Sequence, residues 1–171
     1  MMKKIILLTV IFGTLLNFTS FAQQDKSKRA SPPALITQTL KSGASLSIDY
    51  SRPSLKGRSL NELAPQGKVW RTGANEATIF EINKDVKIEG KDLAAGKYSL
   101  YTIPGEKEWT IIFNKTWKNW GTVYKESDDA LRIQVKPGKA KQFTEMMSFE
   151  ISENGKVDLV WADTQIGFQV Q

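Results

Sequence analysis

From Ala34 onward the chain places apolar residues at alternate positions and halts each run with Gly, Pro, Asn or Ser. Successive side chains of a strand point to opposite faces, so a period of two calls for sheets with one buried face. Leu46, Ile48 and Tyr50 form one such set, and Thr78, Phe80 and Ile82 another. Val86 with Ile88, then Trp109, Ile111 and Phe113, then Leu131, Ile133 and Val135 continue the series, with a further strand over 97–103. Helical turns are expected only at 59–64 and 139–146.

The C-terminal part allows a register test. Met147, Phe149 and Ile151 precede Asn154-Gly155, while Val157, Leu159 and Trp161 follow it. A two-residue Asn-Gly turn would set Ile151 opposite Asp158 and send the two apolar sets to opposite faces. A three-residue loop over 153–155 pairs Ile151 with Val157, Phe149 with Leu159 and Met147 with Trp161. One buried face requires the second register, and with it a left-handed Gly155 in a type I turn plus bulge. Ile166, Phe168 and Val170 close the chain as a last strand. Nine or ten short strands with almost no helix specify an all-β, antiparallel β-sandwich, with a jelly-roll-like arrangement as one variant. No internal repeat supports a propeller.

Residues 1–22 read as a signal peptide: Lys3 and Lys4, an apolar run too short to span a bilayer, then Ser20 and Ala22 at the cleavage positions. The polar, proline-terminated stretch 23–33 reads as a flexible leader, and 34–171 as one domain. The expected location is periplasmic or extracellular, with no membrane span once the signal is removed. The chain has no cysteine and no histidine. That removes lipid attachment at a cysteine, disulfides, thiol catalysis, a Ser-His-Asp triad and the commonest zinc ligands. No metal or cofactor is expected. The formal charge of +6 is spread along the chain without the basic run or aromatic-basic alternation of a nucleic-acid binder.

One segment breaks the alternation. Residues 51–78 form an irregular excursion much longer than the usual connection of about 4–6 residues. Arg52, Arg58 and Arg71 lie in it, three of only five arginines, whereas the chain has many lysines. Guanidinium groups suit forked contacts with carboxylate or phosphate. The excursion ends in Trp70-Arg71-Thr72-Gly73-Ala74-Asn75-Glu76, with Gly73 expected to supply an unusual backbone angle.

Tyr50-Ser51-Arg52-Pro53, Lys56-Gly57-Arg58, the run from Val69 to Thr78, Ala95-Gly96-Lys97-Tyr98-Ser99-Leu100, and Trp109 to Asn114 with Trp120-Gly121 together resemble the domain-of-unknown-function 2911 family. The resemblance implies a single secreted domain from a Gram-negative bacterium and assigns no activity and no catalytic residue.

Two readings of the excursion stay open. In one, Arg71 pairs with Glu76 and Asn75 satisfies loop backbone, a polar network tying the loop to the sheet. In the other, Arg52, Arg58, Trp70, Arg71, Asn75 and Glu76 line a pocket for a glycan or another anionic or polar ligand. The stretch 114–124 is a second candidate, because Trp117 and Trp120 lie outside the strand register among amides. Indoles beside amides suit sugars, or else plug the end of the sandwich. An enzymatic alternative makes Glu76, with Asp128 or Asp129, the carboxylate pair of a glycosidase-like hydrolase.

Overall fold

The computed structural model describes residues 25–171, so the signal-peptide assignment lies outside the described residues. The strands are β1 Pro33–Thr39, β2 Ser45–Ser51, β3 Thr78–Ile82, β4 Val86–Ile88, β5 Lys91–Leu93, β6 Gly96–Ile103, β7 Trp109–Asn114, β8 Asp129–Val135, β9 Gly138–Ile151 and β10 Lys156–Gln169. Six of them form one antiparallel sheet in the order β1-β2-β3-β6-β7-β8. Strand order follows chain order, giving an up-and-down meander rather than the strand crossings of the jelly-roll variant. The β4–β5 hairpin is its one interruption.

The second layer is β9 with β10. β10 doubles back at Ala162, where φ is +55°. Its return half lies against its outgoing half, since the Val170 N–H donates to the Gly155 carbonyl at 2.8 Å. The β4–β5 hairpin attaches beyond it through reciprocal 2.8 Å bonds between Lys87 and Gln171. Leu46, Ile48, Phe80, Leu100 and Phe113 from the large sheet meet Met147, Phe149, Val157, Leu159 and Phe168 from the second layer, all of them buried. The core is therefore the space between two layers whose inward faces are the alternating sets read from the sequence.

The hairpin register holds at Ile151–Val157 and Phe149–Leu159, and Gly155 is left-handed at φ +86°. The third expected pair, Met147–Trp161, falls where the ladder shifts between Val160 and Ala162. There Trp161 turns its indole N–H to the Glu145 carbonyl at 3.1 Å. The helical turn expected at 59–64 is a one-turn helix, Leu60–Leu63, with a full capping box between Ser59 and Glu62. The one expected at 139–146 is a correction: these residues are strand, within β9. Their helix-forming residues are overridden by pairing with β10.

Candidate functional site

Trp70 enters the site region already committed to the sheet. It exchanges backbone bonds with Thr102 at 2.7 and 2.9 Å. Its ring stacks on Trp161 at 5.6 Å, and 8% of the residue is exposed. It is core, not a ligand contact. Beyond it, Thr72 and Asn75 take left-handed backbone angles, φ +53° and +60°. Gly73 is needed for close approach rather than for its angle: a Cβ there would lie 2.7 Å from Thr78 Oγ1 and 3.2 Å from the Ser51 carbonyl.

The expected Arg71–Glu76 pair is not formed. Glu76 is instead held by the stretch read as a leader. Arg29 Nη1 reaches both Glu76 oxygens, at 2.9 and 2.8 Å, and Lys26 Nζ lies 3.1 Å away. Asn75 Nδ2 donates to the Ser31 carbonyl at 3.1 Å. Residues 25–32 thus form a strap, opened by a 3-10 turn at Lys26–Lys28 that Asp25 caps. Partial burial pushes the Glu76 carboxyl up, but Arg29, its own backbone N–H and Lys26 outweigh this and bring it down to about 2.

On their other side the same two residues meet the loop 115–125. The Gly121 N–H donates to the Asn75 carbonyl at 3.3 Å, the Ala77 N–H to the Asn119 carbonyl at 3.4 Å, and Glu76 bridges Trp120. Asn75 and Glu76 are therefore a two-sided connector, strap on one flank and aromatic loop on the other.

The loop lies on the outer face of the large sheet, where Ser99, Tyr101 and Asn114 emerge. Ser99 Oγ donates to the Thr116 carbonyl at 2.8 Å, and Tyr101 OH to the Val123 carbonyl at 2.7 Å. Asn119 Nδ2 donates to that same Val123 carbonyl at 2.7 Å. At the loop's end Asp129 accepts from Asn114, Tyr124 and Arg132 at 2.7–2.8 Å. Burial, then the bond to Asp129, pushes the Tyr124 hydroxyl up to about 12. Pinned at both ends, the loop leaves Trp120 52% and Val123 57% exposed. Trp117 is half-buried, with Lys97 and Lys118 Nζ at 5.2 and 4.8 Å from its ring.

The structure thus brings Arg71, Asn75, Glu76 and Trp120 together, with Trp117 on the same loop. Arg52 and Arg58 serve elsewhere. Arg52 Nε donates to the Met147 carbonyl at 3.1 Å. Arg58 donates to the Leu55 and Ser54 carbonyls at 3.0 and 3.2 Å, which braces a turn within the excursion itself. Arg29, Lys26 and Asn119 escaped the sequence reading. Arg29 carried one usable signal, being one of the five arginines.

Comparison with known proteins agrees with the motifs. The model of the family described as protein of unknown function (DUF2911) matches residues 31–170. No curated protein and no solved structure matches the chain. Since the match takes in nearly all of the described residues, strap end, excursion and aromatic loop included, the chain belongs to the DUF2911 family.

Proposed function

We propose that this is a non-catalytic binding module of the periplasm or cell exterior, taking a glycan on the ridge from Trp117 to Val123. The observation that carries the reading is Trp120, an indole left 52% exposed on a loop whose backbone is held from two sides. A large flat apolar face kept in water is a recognition feature when the surrounding chain fixes its position. It fits the apolar face of a sugar ring, and the amides and carbonyls around it answer hydroxyl groups.

The hydrolase alternative has less support. A general acid must hold its proton near neutral pH. Glu76, drawn down to about 2, stays ionised, and both its oxygens are engaged by Arg29. Asp129 is saturated by three donors, and Asp128 accepts from Thr116 at 2.9 Å.

Titrating the mature protein with peptidoglycan fragments, lipopolysaccharide core oligosaccharide and soluble glucans, while following tryptophan emission, tests the reading. Trp120→Ala is expected to weaken binding by about tenfold or more, the scale of one lost aromatic stacking contact. Undiminished affinity in a variant with an unchanged circular dichroism spectrum would remove the ridge as the site.

A further inference from the structure

We propose that the ridge ligand is an acidic sugar, its carboxylate or phosphate held by Arg71 and a neighbouring hydroxyl donated to Asn119. This rests on the ridge reading above and narrows its ligand class.

Two buried side-chain polar atoms lack a hydrogen-bond partner among the described residues, Arg71 Nε and Asn119 Oδ1. Native proteins leave few such atoms, and each calls for an explanation. These two flank the same strip. A Cβ on Gly121 would meet the Arg71 side chain at 2.5 Å, and Asn119 directly precedes Trp120. One atom is a donor and the other an acceptor. A sugar carrying an anionic group beside a free hydroxyl supplies the complementary acceptor and donor.

The arginines sharpen the point. Arg29 and Arg132 hold carboxylates, while Arg52 and Arg58 hold backbone carbonyls. For Arg71 no acceptor occurs among the described residues. Glu76 is already engaged by the strap, and Asp129 by Arg132, Tyr124 and Asn114. The loop's own charge has one sign: residues 115–125 carry Lys115, Lys118 and Lys125 and no acid. A guanidinium without an acceptor, its stem against Gly121 of a loop whose only charges are lysines, is complementary to an anion.

Access follows from the bonds that hold the strip. Its two backbone links to Asn75 and Ala77, 3.3 Å at Gly121 and 3.4 Å at Asn119, are at the long, weak end of the range. Asn119 stays anchored through Nδ2 and the Val123 carbonyl at 2.7 Å while its Oδ1 is free to accept. The access this proposal requires is a lift of residues 119–121 at these two bonds, the ends of the loop staying held through Ser99 and Asp129.

The test is calorimetric titration of the mature protein with trigalacturonate, its methyl ester, glucose 6-phosphate and glucose. Trigalacturonate is expected to bind at least tenfold more tightly than the ester. Arg71→Gln should erase that preference, and Arg71→Lys should keep part of it. Preference for glucose 6-phosphate over glucose, without preference for the uronate, supports the same anion site and assigns a phosphate as the group. Equal affinity for acid and ester together with equal affinity for the two glucose probes overturns the inference, and so does no binding of any probe. The acid-against-ester comparison on the wild type stands even if an Arg71 variant fails to fold. Loss of all binding in Trp120→Ala alongside equal acid and ester affinities would leave the ridge reading intact and sink only the acidic class.

Discussion

Glu76 shows how a single residue's role is fixed by partners far away in sequence. Read along the chain, it faces Arg71 across four residues. Folded, it takes Arg29 and Lys26, and no local pattern announces a pairing across 47 positions. Trp70 is the complementary case, because its type suggested a ligand contact and only the stack on Trp161 reveals it as core. The Glu76 ion pair makes a pH prediction. Its carboxyl sits at about 2, below the ordinary 4.5, so the folded state favours the ionised form. The stabilisation is complete above about pH 4.5 and is lost as pH falls toward 2. The carboxylate is 38% exposed, so solvent screening reduces the effect to about 1–2 kcal/mol. Glu76→Gln should lower unfolding free energy in urea by that amount at pH 7 and match the wild type at pH 2. A constant deficit at both pH values would show that the carboxylate's charge is not what stabilises the fold.

At the scale of elements, strands were legible where one face is buried and a turn fixes the register. The 153–155 loop satisfies both conditions, and two of its three expected pairs form. β9 fails the first condition along its N-terminal half. Residues 141–143 are exposed and the ladder shifts there, so composition alone pointed to a helix. The hairpin turn carries a comparison between glycines. Gly57 and Gly155 are both left-handed, at φ +78° and +86°. A Cβ on Gly57 meets nothing within 4 Å, whereas one on Gly155 collides with the Val170 carbonyl. Backbone strain alone costs about 1–2 kcal/mol for alanine at such an angle. Gly57→Ala should therefore lose about 1 kcal/mol, and Gly155→Ala about 3 kcal/mol or more, since it also breaks the seam between the hairpin loop and the chain end. Equal losses in urea unfolding would mean that the seam yields freely.

For the whole molecule, alternation disclosed two layers and their shared core, because burial of one face per strand is a property each strand records separately. The site is not recorded that way. The candidate site is assembled from residues 25–32, 71–77 and 115–125, three irregular segments far apart in sequence that meet only in the folded chain. Residues 75–77 are their junction: Asn75 and Glu76 bond the strap with their side chains, while the Asn75 carbonyl and the Ala77 N–H bond the aromatic loop. A load on one flank should therefore be felt on the other. Beginning the chain at Pro32 removes Lys26, Arg29 and Ser31 while leaving β1 through β10 complete. Without the strap, Glu76 and Asn75 lose their outer partners, and the long 3.3 and 3.4 Å bonds to Gly121 and Asn119 lose their backing. The shortened protein should keep its β-sheet spectrum and melt several degrees lower, since about 1–2 kcal/mol shifts a domain of this size by that much. Acrylamide should quench Trp120 more strongly than in the parent, measured as the quenching component that Trp120→Phe removes. The double variant Lys26→Ala with Arg29→Ala should reproduce most of both effects, because the two cations make the strap's hold on Glu76. A lowered melting point with unchanged Trp120 quenching would leave the strap as a local brace, with no mechanical link to the ridge.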